Sequence, residues 1–292
     1  MSNTNINIID CGIKDYQSVL NLQENAFQNL LAGTGNDAIF IVEHPPVITL
    51  GARNTANKLS KDAEAIKQAG VEIFQIRRGG GTTAHNPGQL IVYPIINLKK
   101  RSLGVSDFVH LLEKIGVEFL AELGLACSTK KGFPGLWIED NKKPRITQIT
   151  QMKTEPRINT NIHKFKIKFL NSVNPCLPCE MPLRLSHRGK SVSEKSSVNQ
   201  CPLNPRNLSA KALTTADPWL KIASIGVQVK KWITIHGIAI NINNDLSIFD
   251  LIVPCGLENV KMTSAQIELG RTINIDDAKN ILKKILLKHF IG

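Results

Sequence analysis

Apolar positions along the chain follow two periods. Residues 14–31 place Val19, Leu20, Leu22, Ala26, Phe27 and Leu30 close to helical spacing, and residues 105–123 do the same with Phe108, Leu111, Leu112, Ile115 and Phe119. A third helix is predicted over 275–289, with Ala278, Ile281, Leu282, Ile285 and Leu286 on one side. Between these lie short apolar runs that read as strands: 5–9, 38–44, the Pro-bounded run ending at Gly51, 71–76, 90–98, 135–139, 221–229 and 232–242. The run 90–98 is too apolar for a half-exposed strand, so a central place is expected. A short helix is predicted over 60–69, with Ser60 as N-cap and Gly70 as stop, and a capped turn of helix over 245–250. The mixture of strands and helices predicts an α/β or α+β domain.

Both periods fail between residues 142 and 220. That stretch holds 8 of the chain's 14 prolines and one apolar–basic alternation at 162–170. It reads as a basic, Pro-rich insertion, largely extended or disordered. The formal charge of the chain is +12, which invites a nucleic-acid reading. However, 142–220 carries 14 basic against 4 acidic residues, and the remaining 22 and 20 nearly cancel. The basicity therefore belongs to one segment and does not mark the whole chain as a nucleic-acid binder.

No run of 18 apolar residues is present, so no membrane span is expected. The start of the chain lacks the basic and apolar signature of a secretory signal, and the six cysteines are scattered, as reduced thiols are. A cytoplasmic location is expected.

Four clusters are candidates for chemistry. In "RRGGGTTAHNPGQ" (77–89), three consecutive glycines allow a backbone to approach a ligand, flanked by Arg78 and His85. It lacks the Lys-Ser/Thr of a phosphate loop, and a strand follows it where a dinucleotide fingerprint needs a helix. Without a ligand it would be a flexible hairpin loop. His236, within a strand, is by itself more often a structural residue. Cys255, between Pro254 and Gly256, is a nucleophile if a cation such as Lys221 or His85 lies near, and otherwise a small buried side chain. Cys176, Cys179, His187 and Cys201 have spacings that match no zinc pattern well, and no metal is expected.

Several blocks together resemble the lipoyl(octanoyl) transferases. They are "VEHPPVITLG" (42–51), "RGGGTTAHNPGQLIVYPIINL" (78–98), "GFPGLWIE" (132–139), "KIASIGVQVKKWITIHGIAINI" (221–242), "DLSIFDLIVPCG" (245–256) and "MTSA" (262–265). The resemblance spans about 1–140 and 221–292, in family order. It implies the mixed α/β sheet flanked by helices that biotin and lipoate protein ligases share, formed here by 1–141 and 221–292 as one catalytic domain. It implies that Cys255 accepts an octanoyl group as a thioester, with Lys221 beside it. The implied substrate contacts are Arg78, Gly79, Gly80, Gly81, Thr82, Thr83, Ala84 and His85, then Ser224, Ile225 and Gly226, then Gly237, Ile238 and Ala239. Octanoyl-acyl carrier protein is the implied donor. Lipoyl domains of 2-oxoacid dehydrogenases and the glycine cleavage H protein are the implied acceptors. No cofactor is implied, since the donor is already a thioester, and a monomer is expected.

The family's usual Tyr-His-Gly-Pro reads Ala84-His85-Asn86-Pro87 here. Loss of the tyrosine ring is expected to widen the acyl pocket, and Asn86 is expected to tolerate the glycine's backbone angles. Two other readings are set against this one: an ATP-dependent lipoate- or biotin-type ligase, and an inactive relative that binds a partner through the basic insertion.

Overall fold

The computed structural model describes residues 6–140, 219–254 and 260–291. The expected insertion lies outside them, apart from Trp219 and Leu220, and so do Cys176, Cys179, His187 and Cys201.

The first strand, β1 (Ile6–Ile13), pairs in parallel with β2 (Asp37–Glu43). Between them runs α1 (Tyr16–Ala32), capped by the Asp15 carboxylate on the Ser18 amide and closed by Gly33 at φ 74°. β6 (Gln89–Ile95) pairs antiparallel with β2, and β10 (Ile233–Asn241) antiparallel with β6. Next come β9 (Trp219–Lys230), β8 (Phe133–Glu139) and β7 (Ser128–Lys130), so the main sheet runs β1-β2-β6-β10-β9-β8-β7. A short β11 (Lys261–Met262) pairs in parallel with the start of β9. The run over 90–98 does form a central strand: every residue of β2, β6 and β10 is buried, as in a sheet covered on both faces.

Strand alternation divides the core. Ile39, Ile41, Leu90, Val92, Ile238 and Ile240 face α3 (Val105–Glu122) and α5 (Ile275–Phe290). Ala38, Phe40, Val42, Ile91, Tyr93 and Ile95 face α1. α5 carries Asp276 and Asp277 in its first turn and Lys288 and His289 in its last, matching the helix dipole.

A second sheet, β4-β3-β5, is built from β3 (Val47–Leu50), β4 (Glu72–Gln75) and β5 (Thr83–His85). Its core contains Ile48, Ile66, Val71, Ala84, Ile248, Phe249 and Ile252. Here expectations need adjustment. The short helix α2 spans Ala63–Gln68 and is capped by Asp62, not Ser60, because the Asp62 carboxylate accepts from the Glu64 amide. The glycine-rich segment is not all loop, since Thr83–His85 within it form the buried strand β5. β9 begins two residues before Lys221, and β7, β11 and the short helix α4 (Ala265–Leu269) add to the predicted elements. The capped turn at 245–250 is a 3-10 turn over Leu246–Leu251, begun by Asp245. Among the described residues no helix is long and apolar enough to cross a membrane.

Candidate functional site

Two adjoining clefts lie where the second sheet meets the main one. The first is narrow and is lined by Tyr16, Arg78, Gly79, Gly80, Thr83, His85, Ile91, Tyr93, Ser224, Ile225, Gly226, His236, Gly237, Ile238 and Ala239. The second, which is roomier, is lined by Arg53, Gly79, Gly80, Val109, Gly132, Phe133, Pro134, Lys221, Ile225, Gly226 and Val227. Gly79, Gly80, Ile225 and Gly226 belong to both, so the glycine loop and the middle of β9 form a throat between them.

Arg78 builds that throat. Its Nη1 donates to the carbonyls of Gly79 (3.1 Å) and Gly81 (2.7 Å), and its Nη2 to the Thr49 carbonyl and hydroxyl (both 2.8 Å). A guanidinium does this because its donors form a rigid fork that spans from β3 to the loop. The Gly79 amide donates to the Val227 carbonyl (2.9 Å), which ties the loop to β9. That bond occupies the Gly79 amide.

Lys221 lies in the second cleft, only 2% exposed, with Nζ 5.1 Å from the centre of the Trp137 ring. The β8–β9 register slips between Leu136 and Trp137, opposite Ala223 and Lys221. Such a bulge re-aims a side chain beside a site. Gly135 permits the close approach: at φ 129°, a Cβ there would meet the Ala223 carbonyl oxygen at 2.3 Å. The Lys221 carbonyl in turn accepts from the Thr263 amide (2.9 Å).

In the first cleft the imidazoles are neutral. Burial, with the neighbouring His44 and Arg78, pushes His85 down to about 3, and burial with Arg78 does the same to His236. His85 therefore cannot supply the cation expected near a thiolate. Its Nδ1–H donates to Gln89 Oε1 (2.7 Å), and Gln89 Nε2 to Asn241 Oδ1 (2.8 Å), which fixes the ring. His236 has the uncommon φ of 64°, and its amide donates to Gln23 Oε1 (2.9 Å).

Eleven of the fourteen expected substrate contacts line the first cleft. The exceptions are Gly81, Thr82 and Ala84. Gly81 packs on Ala56, where a Cβ would meet the Ala56 carbonyl oxygen at 2.3 Å. The Thr82 hydroxyl accepts from the Lys58 amide (3.1 Å). Ala84 points from β5 into the second sheet's own core, while Thr83 and His85 point to the cleft. The loss of a ring at position 84 therefore does not widen the first cleft. Asn86 is equally different from expectation. It has no left-handed backbone; its side chain donates to the Asp245 carbonyl (2.8 Å) and accepts from Asn244 Nδ2 (3.1 Å). Cys255 lies outside the described residues. Tyr16, Tyr93 and Ile91 line the cleft without having been singled out. The alternation of β6 could have flagged Ile91 and Tyr93, but nothing local places Tyr16.

The chain matches the family described as lipoyl protein ligase A/B catalytic domain over residues 15–152 and 214–287. It is 26% identical over 282 residues to an octanoyltransferase of Maridesulfovibrio salexigens, covering 97% of this chain and 95% of that one. It is 28% identical over 283 residues to an octanoyltransferase of Nitratidesulfovibrio vulgaris, covering 97% and 93%. Among solved structures, a bipartite lipoate protein ligase from Thermoplasma acidophilum superposes with a TM-score of 0.55 at 10% identity, over 98% of this chain and 83% of that one. Lipoate-protein ligase A bound with ATP gives 0.52 at 12%, over 98% and 85%. These two likenesses concern the fold.

Proposed function

The chain belongs to the lipoyl protein ligase A/B catalytic domain family, and from that premise we propose that it is an octanoyltransferase of protein lipoylation. In this reading 1–141 and 221–292 form the catalytic domain, 142–220 is an insertion, and the protein works in the cytoplasm as a monomer. The donor is octanoyl-acyl carrier protein. The acceptor is the lysine of a lipoyl domain, as in 2-oxoacid dehydrogenases and the glycine cleavage H protein. The names of its octanoyltransferase relatives support the activity.

One observation carries the assignment of residues. Val253, two residues before Cys255, donates its amide to the Lys58 carbonyl (3.0 Å), and Lys58 is held to the glycine loop through Thr82. Met262 of β11, seven residues after Cys255, pairs with Lys221. The two flanks of Cys255 are thus tied to the glycine loop and to Lys221.

In the first step the Cys255 thiolate attacks the carrier thioester. A new S–C bond forms, the carrier's S–C bond breaks, and the carrier leaves as a thiol with a proton from the Lys221 ammonium, which leaves that amine neutral for the second step. The exchange of one thioester for another is nearly isoenergetic, so a nearby ammonium is enough activation. In the second step the neutral acceptor amine attacks the acyl-enzyme. The C–N bond forms, the C–S bond breaks, and Lys221 accepts the proton the amine loses. Ile225 and Ile238, in the wall of the first cleft, offer apolar surface to the acyl chain.

The fold is shared with ligases, one of them crystallised with ATP, so nucleotide dependence separates the two activities. Incubation with octanoyl-acyl carrier protein and a lipoyl domain should add one octanoyl group to the domain without ATP. Modification that requires ATP and free octanoate would instead assign the chain as a ligase.

A further inference from the structure

We propose that the second cleft binds the 4′-phosphopantetheine arm of a thioester donor, with Arg53 at its rim as the phosphate ligand. The inference rests on the acyl-transfer reading above, which uses the first cleft for the acyl chain and, of the second, only Lys221. Arg53, Val109, Phe133, Pro134, Lys221 and Val227 line only the second cleft. Both charged side chains among its lining residues are cations, and no carboxylate lines it. Lys221 is 2% exposed whereas Arg53 is exposed, so one cation lies at the floor and the other at the rim. Main-chain bonds place Arg53 there. Its amide donates to the Gly80 carbonyl (3.3 Å), and the amide of Ala52 to the Arg78 carbonyl (2.9 Å). The Arg53 guanidinium makes no ion pair among the described residues. A cleft with cations only and low-dielectric walls concentrates an anion at its mouth.

Between the two cations the cleft offers a ring on one side and uncovered backbone on the other. Phe133 packs edge-on against Trp137, with ring centres 6.3 Å apart, and Lys130 Nζ lies 5.3 Å from the centre of its ring. Gly80 and Gly132 carry no side chain over their peptide groups. A phosphopantetheine arm presents its chemistry in the matching order. The thioester comes first, then two amides that hydrogen-bond to main chain, then a gem-dimethyl group that packs on a ring, then the phosphate. About thirteen bonds from sulfur to phosphorus, each adding roughly 1.3 Å, span about 17 Å. That length carries the phosphate from a buried reacting centre out to an exposed guanidinium, whose fork suits phosphate oxygens. The same arm occurs on acyl carrier proteins and in coenzyme A, so the arm itself is the group recognised. A nucleotide, the other phosphate-bearing occupant, is set against it in the test.

The test is kcat/KM for acyl-enzyme formation by the full chain from four donors: octanoyl-pantetheine, octanoyl-4′-phosphopantetheine, octanoyl-coenzyme A and octanoyl-acyl carrier protein. In the parent the phosphate should raise kcat/KM by about tenfold, through KM. Arg53→Gln should bring the ratio of phosphorylated to unphosphorylated donor close to one, and Arg53→Lys, which keeps the charge, should retain part of it. A general loss of stability would lower both donors together and leave the ratio unchanged. Arg53→Gln should weaken the coenzyme A and carrier thioesters alike. Loss with coenzyme A alone would assign Arg53 to the nucleotide's own phosphates and overturn the arm site. So would inhibition by AMP that depends on Arg53 in a parent showing no phosphate preference. A preference that survives Arg53→Gln also overturns it, with acyl transfer still standing. Absence of acyl-enzyme from every donor in the parent overturns the transfer reading and the arm site with it.

Discussion

Replacing Arg78 by lysine keeps the charge and removes the fork. The guanidinium reaches four acceptors: the Thr49 hydroxyl, the Thr49 carbonyl, and the carbonyls of Gly79 and Gly81. A lysine ammonium concentrates its donors at one point, so it can serve the β3 side or the loop side but not both. About two buried carbonyls then lose their partner, at roughly 1–3 kcal/mol each. A total near ~4 kcal/mol lowers the melting temperature by about 8–16 °C for a domain of this size. The loop that forms the throat loosens as well, so the KM for the acyl carrier thioester should rise. Arg78→Met supplies the control for charge. The guanidinium is the second cause of the low His236 pKa after burial, so the His236 imidazole should titrate higher in Arg78→Met and stay low in Arg78→Lys. Thermal melts, steady-state kinetics and imidazole NMR read these three effects. A lysine variant that melts within 1 °C of the parent, with unchanged KM, would refute the claim that Arg78 holds the throat.

Two further outcomes follow from the same geometry. At Gly226 an added Cβ would lie 2.9 Å from Arg78 Cδ and 3.0 Å from the Gly79 carbonyl oxygen; Gly226→Ala should therefore cost about 1–3 kcal/mol of stability and slow transfer about tenfold by narrowing the throat, and activity within twofold of the parent would count against it. His85 and His236 titrate near 3 in the folded chain and near ~6.5 unfolded, so below pH ~6.5 the unfolded state takes up protons that the folded state refuses. Stability is complete above that pH and falls as pH drops toward 3, by up to ~1.4 kcal/mol per pH unit for each ring. Denaturant midpoints between pH 6.5 and 4.5 should fall less steeply in His236→Gln, and an unchanged slope would contradict the assignment.

Legibility followed the range of the interactions involved. The long helices and the central strands were readable because one local period decides which face is buried, as with Phe108, Leu112, Ile115 and Phe119 on α3. The glycine loop was readable as a place of close backbone approach, and Gly79 and Gly80 do line both clefts. β5 was not, since three residues between a Gly run and a turn carry almost no periodicity; its pairing with Val47–Thr49 is 34 to 38 residues distant in sequence. Missing that strand hid the alternation that turns Ala84 away from the cleft. The role of Asn86 was hidden for a similar reason, as its partners Asn244 and Asp245 lie about 159 residues along the chain. Tyr16 reads locally as the first residue of a helix. Only the packing of α1 against Phe74 and His85 makes it part of a cleft wall.

The central claim is covalent catalysis at Cys255 with Lys221 beside it, and intact mass spectrometry tests it most directly. After mixing with octanoyl-acyl carrier protein, the chain should gain the mass of one octanoyl group, mapped to the peptide that contains Cys255. The adduct should be absent in Cys255→Ser and form much more slowly in Lys221→Ala. A folded protein that gains no adduct, or carries it on another residue with Cys255 unmodified, would contradict the account.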